Sequence, residues 1–173
     1  MRSLPYIVLA FIAIGLQAGL GHLLSVGGWS VLLPWIVAGF TAAVVDSRRA
    51  PLAALLIGLG FDLVGSGALG IWAAAFGLGG LAIEKLRGPR PTTRGLRLWS
   101  YMAAGAFVAT YTAEFLELFR NLVQGDSPGL FRAFFRHFFA ALGSAFFTSI
   151  LAFPFAFMLA GLQKKLGVKD AAY

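Results

Sequence analysis

The amino-terminal quarter of the sequence lacks Asp, Glu, Lys and Arg from Ser3 to Val45. Because one membrane-spanning helix needs roughly 20 apolar residues, this stretch is long enough for two. The same four residue types are absent from 63–83, 98–113 and 137–163. Hydrophobic residues make up 59% of the 173 residues, more than a water-soluble domain of this size can bury. The pattern predicts an all-α integral membrane protein with a single transmembrane domain over residues 1–173.

Breaks in the apolar pattern divide the chain into six predicted helices. The breaks contain glycine, serine, proline or clustered basic residues, which typically begin or end helices. The predicted transmembrane helices cover 4–24, 29–46, 51–65, 68–86, 97–123 and 129–163. The chain contains no cysteine, which excludes disulfides and thiolate metal sites.

The distribution of Lys and Arg predicts the orientation of these helices. Six helices place both termini on the same side of the membrane. Because cytoplasmic loops carry an excess of basic residues, that side is predicted to be the cytoplasm. Eleven basic residues then lie on the cytoplasmic side, whereas only Arg120, Arg132 and Arg136 lie outside. The net charge of +7 is explained by this topology and by attraction to anionic membrane lipid. No nucleic-acid partner is expected, because no soluble basic module is present.

Asp62 is the only charged residue between Arg49 and Glu84. An ionisable side chain at membrane depth is costly and usually faces the interior of a helix bundle. The following Gly65-Ser66-Gly67 predicts a break between two helices. We expect the Asp62 carboxylate to accept backbone N–H groups at the start of the fourth helix, and Ser66 to cap the same end. Ligand binding, proton transfer and partner docking are alternative roles for Asp62.

This segment resembles the sequence signature of the MreD family of bacterial rod shape-determining proteins. The similarity lies in a glycine-containing apolar helix, an Asp-Leu pair, a break of small residues and a Leu-Gly pair. The matching positions are Gly58, Asp62, Leu63, Gly65, Ser66, Leu69 and Gly70. Chain length, helix number and the basic loop between the fourth and fifth predicted helices also agree with that family.

The resemblance implies a non-enzymatic scaffold of the cell-wall elongation machinery in the bacterial cytoplasmic (inner) membrane. On this basis the chain is expected to bind and position MreC, a single-pass membrane protein. Through that complex it is expected to influence the peptidoglycan synthase pair of RodA and a class B penicillin-binding protein, and so cell shape. The fold of the family is similar to that of the substrate-binding subunits of energy-coupling-factor vitamin transporters.

A vitamin-capturing transport subunit is the main alternative function. Such subunits often contain Ala-x-x-x-Ala in the first helix and a longer loop after it. Here Ala10 is followed by Ile14 and Ala13 by Gln17, and the loop around 26–28 is short. Both features argue against transport.

Glu114 and Glu117 are three residues apart and share one face of the fifth predicted helix. Arg132 and Arg136 are four apart on the next helix, so we expect acidic and basic side chains to pair between the two helices. Paired carboxylates, or Asp62, can also serve acid–base catalysis, but no nucleophile or set of metal ligands accompanies them. No enzymatic activity is therefore expected.

The two histidines, His22 and His137, are far apart in the sequence. An isolated histidine near a membrane interface is usually hydrogen-bonded or solvated. The sequence predicts neither a metal site nor a cofactor.

Three predicted helices carry small residues four positions apart, a spacing that allows helices to approach closely in a membrane. The pairs are Gly15 with Gly19, Ala54 with Gly58, and Ala75 with Gly79. They serve either packing within the chain or docking of a helix from another membrane protein. Both roles are compatible with the sequence.

Overall fold

A computed structural model describes residues 4–21, 23, 25–26, 29–45, 47–65, 68–88, 95–125 and 129–165. Six α-helices lie within these ranges, which confirms the predicted all-α class and the predicted number of helices. They are α1 (Leu4–Leu20), α2 (Leu33–Val44), α3 (Ala50–Val64), α4 (Ile71–Arg87), α5 (Gly95–Gln124) and α6 (Leu130–Lys165). A 3-10 turn at Ser47–Arg49 leads directly into α3.

A short antiparallel ribbon separates α1 from α2. The sequence predicted that the first helix ends at 24 and that the second begins at 29. Strand β1 (Ser25–Val26) pairs with β2 (Trp29–Ser30), with Ser25 opposite Ser30. The two predicted helix ends were wrong by about one turn. Pro34 lies in the first turn of α2, where its missing N–H costs no helical hydrogen bond, whereas a helix that began at 29 would hold this proline in its interior.

The start of α4 also differs from the prediction, which placed it at residue 68. Gly70 precedes the helix with φ of +97°, a left-handed conformation that a right-handed helix cannot contain. The helix therefore begins at Ile71, and the break after α3 is longer than predicted.

One segment of α6, Phe131–Met158, is long and apolar enough to cross a membrane, judged over the residues that the structure describes. Shorter apolar helices cover Tyr6–Leu20, Leu33–Val44 and Ala50–Val64. By length and composition, α6 is the clearest candidate for a membrane-spanning helix.

The side chains inside the bundle are smaller than those outside it. The most extensive helix contacts join α3 to α4, α5 to α6 and α4 to α5. Alanine dominates the buried positions, whereas large apolar side chains cover much of the exterior. The most exposed phenylalanines and leucines include Phe11, Leu63, Phe119, Phe131 and Phe146. Small residues inside and large apolar residues outside are typical of helices packed in lipid.

The centre of the bundle is occupied by Trp35 of α2, which is completely buried. Its indole Nε1 donates a hydrogen bond to the carbonyl of Met102, with 3.2 Å between the atoms. Gly79 in α4 and Gly105 in α5 make room for the ring, because a Cβ at either position would overlap it. Glycines on two helices thus allow one large aromatic side chain to fill the core.

The first N–H groups of α2 are satisfied by side chains from other helices. The backbone N–H of Leu33 donates to Oε1 of Gln17 in α1, at 2.9 Å. The backbone N–H of Leu32 donates to Oγ1 of Thr148 in α6, at 3.0 Å. No side chain of α2 itself caps this end. Two polar residues in apolar helices therefore supply the cap that the local sequence lacks.

The last carbonyls of α2 are satisfied in the same way by Arg87, which lies in the final turn of α4. Its guanidinium donates to the carbonyl oxygens of Ala43, at 2.8 Å, and of Val45. Arg87 is buried although it is basic. A cation at a helix carboxyl end is stabilised by the free carbonyls and the helix dipole.

Candidate functional site around Asp62 and the open face of α1

Asp62 lies near the end of α3 and is only 6% exposed. Its Oδ2 accepts the backbone N–H of Gly70 at 3.0 Å and that of Ala73 at 2.9 Å. Its Oδ1 accepts the backbone N–H of Trp72 at 3.1 Å. The predicted capping of the fourth helix by Asp62 is thereby confirmed.

This geometry explains why a carboxylate is needed at residue 62. The first N–H groups of a helix have no partner within it, and the helix dipole makes this end favourable for an anion. Both oxygens of Asp62 are used by backbone donors, which supports a structural role. Gly65 ends α3 in an extended conformation. Ser66, which was expected to cap the same end, lies outside the described residues.

Gly58 brings α3 and α4 into contact directly beneath this cap. A Cβ at Gly58 would overlap the carbonyl of Trp72 and lie 2.9 Å from Cα of Ala73. A Cβ at Gly80 would lie 2.8 Å from Cβ of Ala54. The close approach places the α4 backbone within reach of Asp62, so the glycine and the carboxylate act on the same helix junction.

Two of the three small-residue pairs therefore serve packing within the chain. Ala54 and Gly58 of α3 are buried against α4. Ala75 and Gly79 of α4 are also buried, and Gly79 contacts the core tryptophan. For these pairs the interpretation as intramolecular contacts is confirmed.

The third pair, Gly15 and Gly19 in α1, has a different environment. Both residues are exposed, and no heavy atom of the described residues, beyond the surrounding helix backbone, would lie within 4 Å of a Cβ at either position. Phe11 lies one turn before Gly15 and is also exposed. Ala10 and Ala13, on the opposite side of α1, are buried. We call the surface formed by Phe11, Gly15 and Gly19 the open face of α1.

Glu114 pairs with a histidine rather than with an arginine. Its Oε2 lies 2.5 Å from Nδ1 of His137 in α6. Arg132 and Arg136 are both exposed, and neither forms an ion pair with Glu114 or Glu117 in the described part of the chain. The predicted Glu–Arg pairing was wrong.

The reason for this error is the geometry of the helix surface. Neighbouring residues on a helix point about 100° apart. Arg136 therefore faces outwards when His137 faces α5, and Arg136 contacts only the far side of the imidazole, with Nη2 3.4 Å from Nε2. The prediction paired charges by type and did not determine which residue of α6 faces the acidic side of α5.

Sequence reasoning also missed Gln17, Arg87 and Thr148 as capping residues. Each is a polar or basic side chain within or beside an apolar helix, and this isolation was the sequence feature that could have indicated a capping role. Their partners are 16, 44 and 116 residues away in the sequence, so only the fold identifies them.

The chain matches no protein-family model, no curated protein and no solved structure. The resemblance to the MreD family therefore depends on the residues between Gly58 and Gly70 and on the pattern of helices.

Proposed function

We propose that the chain is a multi-pass protein of the bacterial cytoplasmic membrane, with six spans and both termini in the cytoplasm. The main support is the arrangement of small side chains inside and large apolar side chains outside. A water-soluble monomer rarely exposes continuous apolar patches of this extent, whereas lipid accommodates them.

The capped helix ends provide independent support for this environment. A helix of 12 residues such as α2 is about 18 Å long, shorter than the roughly 30 Å hydrocarbon core. Its ends would then lie within the membrane, where backbone groups need partners from the protein. Gln17, Thr148 and Arg87 supply such partners.

We further propose that the protein is a non-enzymatic scaffold that binds the transmembrane helix of a partner on the open face of α1. The exposed Gly15 and Gly19 carry this proposal, because the part of the chain that the structure describes does not pack against them. In a membrane, helices associate where small residues permit close backbone contact, and a neighbouring large side chain such as Phe11 can fill the adjacent groove.

The MreD resemblance implies an MreC-type protein as the partner for this surface. An MreC-type single-pass protein would place one helix on α1 and keep its extracytoplasmic part free. RodA and a class B penicillin-binding protein would be reached through that complex. Regulation of peptidoglycan synthesis and of rod shape is the corresponding cellular role.

Co-purification from bacterial membranes tests the scaffold proposal. We expect Gly15→Leu and Gly19→Leu to lower recovery of the single-pass partner about tenfold, equivalent to about 1.4 kcal/mol of binding free energy. Gly161→Leu is the matched control, because Gly161 is also exposed and no atom of the described residues lies near its Cβ position. All three substitutions should favour helix formation equally.

The alternative function gives a different result in the same experiment. A bound vitamin or a co-purifying ATPase would favour a transport subunit over the scaffold. Equal partner recovery from the Gly19→Leu and Gly161→Leu variants would reject docking on α1.

A further inference from the structure

Three potential metal ligands meet between α5 and α6. One ligand atom each from Glu114, Glu117 and His137 all lie within 4.8 Å of one another. Ligand atoms bound to one tetrahedral ion at about 2.1 Å are about 3.4 Å apart, so side-chain movements of about 1 Å bring all three into a coordination sphere. His137 is buried and the two glutamates are partly buried, so this is not a solvated acidic surface.

Among the described residues, the basic side chain in contact with this cluster is the exposed Arg136, whose Nη2 lies 3.4 Å from Nε2 of His137. Two carboxylates face one imidazole, and neither carboxylate has an ion pair with Lys or Arg among the described residues. Placing two neighbouring carboxylates in a partly buried site is unfavourable. A divalent cation would neutralise both carboxylates.

A cavity of about 240 Å³ opens beside the cluster. Its walls are mainly aromatic and aliphatic, and the lining residues with polar side-chain groups are Tyr111, Glu114 and His137. The lining residues are Tyr111, Glu114, Phe115, Leu118, Phe134, His137 and Phe138. Zinc sites with three protein ligands keep a further coordination position for water or another ligand, and this cavity provides the space for it.

We propose that Glu114, Glu117 and His137 bind a divalent transition-metal ion, for which Zn²⁺ is the best fit. One imidazole nitrogen with two carboxylate oxygens is a ligand set that favours Zn²⁺ or Mn²⁺ over the all-oxygen preference of Mg²⁺ and Ca²⁺. The ion takes the place of the proton between His137 and Glu114. Arg136 is exposed and contacts the imidazole at 3.4 Å, so it can turn away and leave Nε2 to carry the remaining proton.

A metal ion at these three side chains would overturn the sequence-based expectation of no metal site, which treated the histidine and the two glutamates separately. The metal-site proposal does not depend on the partner-binding proposal, because the cluster lies on α5 and α6 and the open face lies on α1. Either proposal can fail without the other.

Titration calorimetry on the purified full-length protein, stripped of metal with a chelator, tests the site. We expect one Zn²⁺ per chain, and no comparable binding of Mg²⁺. Glu117→Gln should weaken Zn²⁺ binding by at least about tenfold, because even the loss of partners outside the coordination sphere costs about 10–100-fold. Glu84→Gln in α4 is the control and should leave the affinity unchanged.

The Glu117→Gln variant separates metal binding from a purely structural role. It removes one carboxylate but leaves the Glu114–His137 hydrogen bond in place. Without metal its melting temperature should therefore be no lower than that of the unmodified protein, and added Zn²⁺ should raise the melting temperature of the unmodified protein alone. Absence of Zn²⁺ binding, or equal affinity in the Glu117→Gln variant, would overturn the proposal.

Discussion

The carboxylate of Asp62 in α3 accepts the backbone N–H of Ala73 in α4, with 2.9 Å between Oδ2 and the nitrogen. The two residues are separated by the break between α3 and α4, which contains the left-handed Gly70. A single side chain thus fixes the start of one helix against the end of another. The contact is possible because Gly58 lets the two backbones approach.

Replacement of Asp62 should reveal the energy of this cap. Asp62→Leu leaves three backbone N–H groups without partners, and each buried unsatisfied group costs about 1–3 kcal/mol. We expect the free energy of unfolding in mixed micelles to fall by about 3 kcal/mol or more. Asp62→Asn keeps one acceptor oxygen and should lose about half as much.

The order of these two variants is the informative result. Equal stability of the Asp62→Asn and Asp62→Leu variants would mean that hydrogen bonding to α4 is not the role of this side chain. Unchanged stability in both would remove Asp62 from the account of the fold.

Arg87 should stabilise α2 through its carboxyl end. Arg87→Met removes charge-assisted hydrogen bonds to two carbonyls, each worth about 1.5–3 kcal/mol, so we expect a loss of about 2 kcal/mol or more in unfolding free energy. Lys85→Met is the control, because Lys85 lies in the same last turn of α4 and is exposed. Thermal unfolding in detergent measures both. Similar losses in the two variants would contradict the proposed cap.

Gly58 and Gly60 provide a matched pair within α3. A Cβ at Gly58 would overlap backbone atoms of α4, whereas a Cβ at Gly60 would meet only the flexible Cδ1 of Ile14, at 3.2 Å. Gly58→Ala should therefore destabilise the protein by about 1–3 kcal/mol. Gly60→Ala should be neutral or stabilising, since alanine is the better helix former. A stable Gly58→Ala variant would show that the two helices can separate without cost.

The sequence was most informative where one residue had only one possible partner type. Asp62 is a single carboxylate in an apolar run, and the next helix offers unpaired N–H groups a few residues later. Its hydrogen bonds could therefore be predicted from local physical chemistry. The glycine spacing likewise identified residues of the α3–α4 contact.

The sequence was less informative where several partners were available. Glu114 had three possible partners on α6, namely Arg132, Arg136 and His137. Only the orientation of α6 about its own axis decides which of them faces Glu114. The three small-residue pairs look alike in sequence, yet Gly15 and Gly19 are exposed whereas Gly58 is buried. These differences depend on how the helices pack together, which no local pattern specifies.

Photocrosslinking in bacterial membranes tests the central claim, that a partner helix docks on α1. Phe11 in α1 and Phe146 in α6 are comparably exposed, at 73% and 62%, and each can be replaced by p-benzoylphenylalanine with little change in shape. We expect illumination to join the single-pass partner to the chain from position 11 and not from position 146. Cross-links of equal yield from both positions, or from position 146 alone, would contradict docking on the open face of α1.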